Sequence, residues 1–390
     1  MYKKKSKIAI LLEISRAFDR DLLKGIMNYN NLYEKFHFFF SPPYYTNTKK
    51  GERLVQRIID WKPDGILIRE VPGIEKMKAL NIPIIISPHD QPHVNHINIR
   101  GNGQELGRAV ATYFISKGFN NFAFLGFENF HWSLERQAGY TSFLEQAGYL
   151  VNSFLYDNNT SLWEELPVLL VKWLRSMQTP CAIFTATDEL SVQLIEATKE
   201  LEAKVPDDFS IMGVDNDVMI CEMSTPTLSS VDQDAVQAGF EAASALSRWI
   251  EFKERPTSDI MVDLGAIITR NSTNALAVND ESVRNALHFI TNVAPHKDIS
   301  VDDVIESTTL SRRVLEKKFR SILKTSILEE IKKKRIERIK FLLVNSDLSL
   351  KEISYELDFL NTGNITRYFK EYTGLNPLEY RKKTQKGAGF

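Results

Sequence analysis

Short apolar runs alternate with longer amphipathic stretches through the first 270 residues of the chain. Strands that are buried on both faces read as continuous apolar runs, and helices provide the crossovers that parallel strands need. The alternation therefore predicts an α/β fold with parallel sheets. The predicted strands are 8–12, 36–40, 65–68, 82–86, 122–125, 181–184 and 211–214, and the predicted helices include 19–31, 104–117, 134–146 and 189–201.

The length of this α/β region, about 270 residues, is large for one sheet of this kind. Two similar lobes fit the length better. We place the boundary between them near residues 97–101, where Ile97–Arg100 gives way to a helix opened by Asn102. Open parallel sheets bind their ligands beyond the carboxyl ends of the strands, so a ligand is expected between the two lobes.

The pattern changes after Arg270. Residues 271–280 are small and polar and show no period, which is typical of a linker, and we assign 271–281 to one. Beyond it only helical periods remain, so residues 282–390 are predicted to form an all-α domain. Its predicted helices are 283–293, 301–306, 311–323, 326–345, 350–357 and 363–373, with Ser300, Ser311, Ser349 and Asn361 at or near their caps.

Two stretches of the all-α domain, Ile299–Phe319 and Leu348–Phe369, share a layout. Each has a short helix, a tight turn and a second helix that ends in Phe, and the two Phe residues are 50 positions apart. The layout indicates a duplicated helix-turn-helix, held at a fixed separation by the helix between the units. The second helix of such a unit can enter the major groove of DNA with its early residues toward the base edges.

Polar side chains occupy the early turns of both second helices. Arg and Lys donate to guanine and Asn pairs with adenine, so these side chains are predicted to read bases, while later cations face phosphates. A plain helical bundle with a polar outer face is the alternative, and it would be preferred if only one unit were present. The predicted base readers are Arg312, Arg313, Glu316 and Lys317 in the first unit and Asn361, Thr362, Asn364 and Arg367 in the second, and the predicted phosphate contacts are Lys318, Arg320 and Lys370.

Composition adds a contrast between the two regions. Hydrophobic residues make up 43% of the 390 residues and charged residues 25%, values that exclude a disordered or fibrous chain. The net charge of −1 hides a split: residues 281–390 hold 21 Lys or Arg against 15 Asp or Glu, whereas the first 280 residues hold 28 against 35. A basic module beside an acidic one is typical of a protein that meets polyanions through one module, although a solvated helical surface gives the same excess.

Targeting and membrane signals do not emerge from the sequence. The N-terminal lysines followed by Ile8–Leu12 imitate a secretory signal, but the apolar run is shorter than the roughly 7 to 15 residues of such a signal. No run reaches the roughly 18 apolar residues of a membrane span, so no membrane partner is expected. Cys181 and Cys221 have neither metal-ligand spacing nor a disulfide framework, which indicates a reducing compartment and a cytoplasmic protein.

Glycine and histidine motifs add no enzyme chemistry. Gly101–Gly107 nearly matches a dinucleotide-binding loop, but its last glycine is one residue late and Ile97–Ile99 is a poor preceding strand. Three histidines within residues 89–96 have a spacing that would suit a metal on a helix, but two prolines in the same stretch break any helix there. No metal, cofactor or catalytic constellation is predicted, and the chain is not expected to be an enzyme.

Polar side chains near the predicted strand ends and helix starts form a candidate ligand site. Carboxylates accept hydroxyl hydrogens, Arg donates a fork and Gln does both, which is what a neutral polyol requires. Helix capping is the alternative for any one Asp, but five side chains from separate segments favour a shared site. The candidates are Asp19, Arg136, Asp188, Asp215 and Gln233, with Phe18, Trp132 and Trp163 as flat apolar faces.

One longer motif points to a known family of DNA-binding proteins. Residues 369–381, Phe-Lys-Glu-Tyr-Thr-Gly-Leu-Asn-Pro-Leu-Glu-Tyr-Arg, resemble the signature that closes the DNA-binding domain of AraC-type transcription regulators. The resemblance covers about 100 residues, 283–383. Small residues often stand at the turn of each unit in that family; the second turn here has Asp358, and Asp tolerates a left-handed backbone better than most residues.

The first region resembles the sugar-sensing domain of LacI-type repressors and the related periplasmic sugar-binding proteins. Residues 205–216 and 225–233 carry the clearest match, and residues 136–139 and 186–188 extend it. The resemblance implies a two-lobed, type I periplasmic-binding-protein-like fold over residues 1–270.

The order of the two regions is informative in itself. A LacI-type sensor ahead of an AraC-type reader is similar to transcription regulators of the xylose operon type, as are Arg16–Asp19 and the Leu-Glu-Lys at 315–317. This resemblance adds Arg16 to the candidate sugar contacts.

Together the resemblances imply a sugar-responsive regulator that binds operator or promoter DNA. Its effector is expected to be xylose or a similar monosaccharide, and activation of a sugar-utilisation operon, through RNA polymerase, is expected over repression. Sugar would close the lobes, and closure would reorient the subunits of a homodimer so that paired reader domains fit their half-sites. Two alternatives remain open from the residues: a carbohydrate-acting α/β enzyme with a helical appendage, and an adaptor whose helix-turn-helix units bind protein.

Overall fold

A computed structural model gives the structure of the chain, and it describes residues 5–40, 51–70, 74–88, 90–157, 159–160, 162–274, 280–346 and 348–387. The chain divides into two compact units, Met1–Ala277 and Val278–Phe390. We call the first the sensor unit and the second the reader unit, and each is described by itself.

The sensor unit alternates strands with helices, as its apolar runs predict. Its strands are β1 (Ser6–Leu11), β2 (Phe36–Phe40), β3 (Gly65–Arg69), β4 (Ile84–Ser87), β5 (Ile97–Gly101), β6 (Asn121–Phe127), β7 (Val151–Tyr156), β8 (Cys181–Thr185), β9 (Phe209–Val214), β10 (Ser229–Gln233), β11 (Ile260–Val262) and β12 (Leu264–Ile268). Its helices are α1 (Ala17–Tyr33), α2 (Gly51–Trp61), α3 (Ile74–Lys78), α4 (Gly103–Ser116), α5 (His131–Gln146), α6 (Leu166–Leu174), α7 (Asp188–Glu200), α8 (Val218–Met223) and α9 (Ala235–Phe252).

The strands form two six-stranded sheets, one in each lobe. The first lobe has the order β11-β5-β4-β3-β1-β2 with parallel pairing throughout, and the second has β12-β10-β9-β8-β6-β7, in which only β12 runs antiparallel to its neighbour β10. The predicted α/β fold with two parallel sheets is thereby confirmed.

The chain changes lobe more often than the predicted boundary near 97–101 implies. It crosses after β5, returns to the first lobe after β10, where α9 packs on the first sheet, and crosses again between β11 and β12. The segment 97–99, which we considered a poor strand, is the start of β5. Asn98 and Arg100 interrupt its apolar pattern, polar residues likewise conceal β7 and β10, and β11 is only three residues long.

Close helix packing fixes the helices that carry candidate site residues. A Cβ at Gly25 of α1 would lie 1.9 Å from the Val236 carbonyl oxygen of α9, and a Cβ at Gly107 of α4 would lie 2.3 Å from the Arg136 carbonyl oxygen of α5. Only glycine permits such an approach between two backbones. The helices α1 and α5 are therefore packed closely against α9 and α4.

The reader unit is entirely helical over its described residues. The six predicted helices are present, with ends that differ by no more than two residues, and a further helix follows them because Asn376 and Pro377 supply a cap and a first-turn proline. The helices are α10 (Glu281–Val293), α11 (Val301–Glu306), α12 (Arg312–Leu323), α13 (Ile327–Asn345), α14 (Leu350–Glu356), α15 (Thr362–Thr373) and α16 (Pro377–Gly387).

The predicted linker, 271–281, begins inside the sensor unit. Residues 271–273 form a 3₁₀ turn with Ser272 and Thr273 fully buried. The Ser272 hydroxyl donates to the Ile211 carbonyl at 2.7 Å and accepts from the Ser229 amide at 2.8 Å. Small polar residues predict a linker here, but the Ser272 hydroxyl instead forms hydrogen bonds with backbone groups of the second lobe. Residues 275–279 lie outside the described residues.

Across the described parts of both units, no helix combines the length and apolar character needed to cross a bilayer.

Candidate functional site

A cleft lies between the two lobes of the sensor unit, at the carboxyl ends of the parallel strands. It encloses about 770 Å³, including its open mouth. The lining comes from both lobes and from the crossing strands, as expected for a ligand site in such a fold. The lining residues are Arg16, Phe18, Arg69, Ser87, Pro88, Asp90, Pro92, Ile99, Arg100, Gly101, Gly103, His131, Trp132, Glu135, Arg136, Thr187, Asp215 and Gln233.

The second lobe contributes a carboxylate held by Arg136 and Gln233. Arg136 is buried on α5; its Nη1 donates to the Ala186 carbonyl and its Nη2 lies 3.6 Å from Asp215 Oδ1. The Gln233 amide donates to the same oxygen at 2.6 Å. Burial lowers the pKa of Arg136, and the charges of Asp215 and Asp188 oppose that shift. An ion pair and a hydrogen bond therefore join the three predicted contacts into one group in the cleft.

Asp215 adopts an unusual backbone conformation. Its φ is 97°, and Asn216 after it has a φ of 46°. A non-glycine residue in this region is strained, and such strain persists where surrounding contacts hold it. Here the strain directs the Asp215 carboxylate into the cleft beside Arg136.

The first lobe presents a guanidinium instead. Arg69, at the end of β3, lines the cleft and makes a two-pronged contact with Asp19, with Nε to Oδ2 at 2.7 Å and Nη2 to Oδ1 at 2.6 Å. Asp19 is fully buried and also accepts from the Glu13 amide at 2.6 Å. Burial acts to lower the pKa of Arg69, but the charge and hydrogen bonds of Asp19 outweigh it and raise that pKa.

Two predicted sugar contacts, Asp19 and Asp188, lie behind the wall of the cleft and do not line it. Asp188 is 1% exposed and accepts from the Asp217 amide at 2.8 Å and from the Ser230 hydroxyl at 2.6 Å. Burial raises the pKa of Asp188 well above its usual range. Both carboxylates stand at the starts of helices packed tightly on a sheet, where neighbouring donors occupy them. The other predicted contacts, Arg16, Arg136, Asp215 and Gln233, line the cleft.

Several lining residues were not predicted. Arg69 directly follows the predicted strand 65–68, just as Asp215 directly follows the predicted strand 211–214. A search for cations as well as carboxylates at the strand ends would therefore have found it. Of the aromatic candidates, Phe18 and Trp132 line the cleft, whereas Trp163 packs against Tyr156 at a centroid distance of 6.0 Å. The unpredicted polar lining residues are Arg69, Ser87, Asp90, Arg100, His131, Glu135 and Thr187.

Polar contacts join the two lobes around the cleft. Arg20 of α1 donates to Asp217 Oδ2, before α8, at 2.6 Å. Arg100 of β5 lies 3.3 Å from the Glu135 carboxylate, and the His131 amide donates to Asp90 at 3.1 Å. These contacts hold the lobes together over the cleft.

The reader unit contains the same structure twice, at the predicted offset. Leu315 and Phe319 of α12 are fully buried, and Ile365 and Phe369, 50 positions later on α15, are equally buried. Both helices end in a left-handed residue, Lys324 with φ 56° and Gly374 with φ 75°. Asp358 has a φ of 59° in the second turn, the left-handed conformation expected for it.

The outer faces of α12 and α15 differ in their charge. In α12, Arg313, Lys317 and Arg320 are exposed, whereas Arg312 lies 3.0 Å from Asp302 and 3.1 Å from Glu316. Lys318, predicted to face phosphate, is paired with Asp280.

In α15, Arg367, Lys370 and Thr362 are exposed. Asn361 is the helix cap, and its Oδ1 accepts from the Asn364 amide at 3.0 Å. The cap hydrogen bond therefore uses the same side-chain oxygen, Asn361 Oδ1, that would accept a hydrogen bond from adenine.

The described histidines of the 89–96 stretch do not gather into a metal site. His93 Nδ1 lies 2.7 Å from Lys78 Nζ, and His93 Nε2 lies 3.4 Å from the Glu70 carboxylate. Over the part of the chain that the structure describes, no group of three or more His, Cys, Asp or Glu residues could hold a metal ion. His89 lies outside the described residues.

Comparisons with known proteins agree with this arrangement. Residues 111–273 match the model of a periplasmic binding protein-like domain, and residues 305–383 match that of a helix-turn-helix domain. The chain is 27% identical to the xylose operon regulatory protein of Escherichia coli (strain K12), over 98% of each chain. It is also 27% identical to the protein of that name from Haemophilus influenzae, over 96% of this chain and 98% of the relative. A solved structure of a xylose-binding transcription activator superposes with a TM-score of 0.74 at 25% identity, covering 98% of this chain and 99% of the other.

Proposed function

Because the chain is a transcription regulator of the xylose operon regulator type, with a periplasmic-binding-protein-like sensor and an AraC-type helix-turn-helix domain, we propose that it activates a sugar-utilisation operon and that its effector is xylose or a similar monosaccharide. The sensor unit binds the sugar and the reader unit binds operator DNA. The protein acts as a homodimer that contacts RNA polymerase.

The group formed by Arg136, Asp215 and Gln233 carries the sugar assignment. A carboxylate in a cleft, backed by a buried guanidinium and an amide, accepts two hydroxyl hydrogens without reorganising. Arg16 and Arg69 offer N–H donors from the opposite lobe to hydroxyl oxygens. Phe18 and Trp132 supply the apolar surface against which the C–H face of a sugar ring packs.

Asp19 and Asp188 have supporting roles in this proposal. Asp19 fixes the orientation of Arg69 through its two-pronged contact, and Asp188 fixes the loop at Asp217 and the strand at Ser230. Both carboxylates therefore act on the sugar through their neighbours.

The reader unit binds DNA through the outer faces of its two second helices. Direct base contacts come from Arg313 and Lys317 in α12 and from Asn364 and Arg367 in α15. Arg312, Glu316, Asn361 and Thr362 lie beside them at the helix starts, and Arg320 and Lys370 contact phosphates. Lys318 is paired with Asp280, so it contacts a phosphate only if this ion pair breaks.

A thermal-shift screen of the full-length protein against common monosaccharides tests the sugar assignment. A sugar at 100 times its dissociation constant stabilises the native state by about 2.7 kcal/mol, which is easily detected. Xylose or another pentose is expected to give the largest shift. A screen in which no monosaccharide raises Tm would contradict the proposal, and salt-dependent binding to duplex DNA would separate it from a protein-binding adaptor.

A further inference from the structure

Leu360 is exposed to an unusual degree for a large apolar residue. It is 92% exposed, the highest value among the large apolar side chains of the described residues. It stands in the turn between α14 and α15, directly before the cap residue Asn361. Its neighbour Phe359 is packed, with the Tyr368 ring at 5.4 Å and the Arg335 guanidinium at 4.6 Å. The turn is therefore anchored by Phe359, and nothing in the fold requires an apolar side chain at 360.

Leu360 lies on the side of α15 that faces away from the core. Ile365 and Phe369 point inward and are fully buried. Asn364 and Arg367, three positions apart, lie on the same side of this helix. Leu360 precedes the cap residue Asn361, whose backbone is extended, so it stands at the exposed entrance to the helix that carries these polar side chains.

Gly363 leaves space at this end of the helix. A Cβ added there would approach the Asn361 Oδ1, the oxygen that caps the helix, to 3.1 Å, which is closer than ordinary van der Waals contact. Away from that oxygen the space beside Gly363 is open. In the first unit the residue 50 positions earlier is Arg313, which has a long side chain where the second unit has none.

We propose that Leu360 reads a thymine by contact with its 5-methyl group, and that Gly363 lets the base edge approach. This inference rests on the proposed function, because it presupposes that α15 lies in the major groove. The thymine methyl is the apolar feature of the major-groove code, and apolar side chains recognise it. An isolated leucine among polar readers, at the end of the helix that meets base edges first, has the chemistry for that contact.

Selected DNA tests the inference at the level of single atoms. Duplexes are first recovered from random-sequence DNA with the full-length protein, and each thymine of the recovered sequence is then replaced by uracil, which lacks only the methyl. Affinities of the wild type and of Leu360→Ala are measured by fluorescence anisotropy. Burial of one methyl corresponds to about a threefold to fivefold change in affinity. We expect one thymine per half-site whose replacement weakens the wild type by this factor and leaves Leu360→Ala unaffected.

A second variant and a control sharpen the result. Gly363→Ala is expected to weaken binding of the selected duplex by about threefold or more, because the added methyl occupies the space left for the base. Its Tm should stay close to that of the wild type, because crowding of the Asn361 cap oxygen opposes the gain in helix propensity. Leu150→Ala in the sensor unit, where Leu150 is 87% exposed, is the matched control and leaves DNA affinity unchanged.

The possible outcomes are distinct. If every thymine-to-uracil change affects wild type and Leu360→Ala equally, the thymine contact is refuted. If Leu360→Ala binds the duplex normally but fails to activate transcription with RNA polymerase, Leu360 belongs to a protein contact and the inference is overturned. If no sequence is selected at all, the proposed function itself fails.

Discussion

The sensor and reader units use charged side chains in opposite ways. In the sensor unit two pairs of charges at the cleft are largely buried: Asp19 with Arg69, and Arg136 with Asp215. In the reader unit the cations that matter most, such as Lys317 and Arg367, are exposed to solvent. A neutral sugar offers weak dipoles, which require rigid and desolvated partners, whereas DNA offers a high charge density that attracts exposed cations through water.

The two lobes of the sensor unit also differ from each other in the charged group that each presents to the cleft. The first lobe presents a guanidinium, Arg69, supported from behind by the carboxylate of Asp19. The second presents a carboxylate, Asp215, supported from behind by the guanidinium of Arg136. A ligand between the lobes therefore meets a supported guanidinium on one side and a supported carboxylate on the other. Substitutions in buried pairs should have large effects, and substitutions of exposed cations should have smaller, salt-dependent ones.

The largest effect is expected from Asp19→Ala. The change leaves the Arg69 guanidinium buried without its carboxylate, so the free energy of unfolding should fall by about 3–5 kcal/mol, measured by urea denaturation. Asp21→Ala on the same helix is the control. Burial raises the pKa of the half-buried Asp21, so the fold disfavours its charge, and loss of that charge should not destabilise the protein. Equal losses in both variants would show that the pairing of Asp19 with Arg69 gives the fold no particular stability.

Affinity for the sugar should be the next largest effect. Arg136→Ala and Asp215→Ala should each weaken binding at least about tenfold in isothermal titration calorimetry, because a charged hydrogen bond contributes roughly 1.5–3 kcal/mol. Trp163→Ala should bind normally, since Trp163 does not line the cleft. Normal affinity in both folded cleft variants would remove the sugar site from this cleft.

Base reading by the reader unit should come third. Arg367→Ala should cost about 1–3 kcal/mol of DNA binding and relax the preference at one base pair, because an arginine that pairs with a base edge discriminates among bases. A selection experiment with the variant shows which position loses its preference. A uniform loss across all sequences would mean that Arg367 contacts the backbone.

The smallest effect is expected at Lys370. Lys370→Ala should weaken all sequences alike and lower the slope of log affinity against log salt by about one unit, because one phosphate contact releases about one counterion. Binding measured from low to moderate salt gives the slope. If Lys370→Ala relaxes one base position while Arg367→Ala changes only the slope, the orientation of α15 on DNA is rotated from the one proposed.

Sequence patterns were sufficient where periodicity is strong. The reader helices were predicted to within two residues because their caps and apolar periods agree, and the duplicated units share one burial pattern. The crossings between lobes were harder to predict, because β5 and β10 carry polar residues such as Asn98 and Asp232 at the edges of an otherwise buried sheet. Each of these strands stays within one sheet, and the chain crosses to the other lobe after the strand ends.

The sequence predicted which residue types form the candidate site better than it predicted which side chains face the ligand. Residue type and strand position identified Asp215, Arg136 and Gln233, which line the cleft. They could not separate a carboxylate that faces the ligand from one that faces another side chain. That distinction depends on the residue that each carboxylate contacts. Asp19 contacts Arg69, which is 50 residues away in sequence, and Asp188 contacts Ser230, which is 42 residues away.

The central claim is that sugar in the sensor unit controls DNA binding by the reader unit. The most direct test measures the dissociation constant of the full-length protein for its selected duplex with and without saturating sugar, and the dissociation constant for sugar with and without saturating duplex. Linkage requires the two ratios to be equal, and we expect a common factor of roughly 5 to 150. A DNA affinity that does not change with a sugar that binds the cleft would contradict the account.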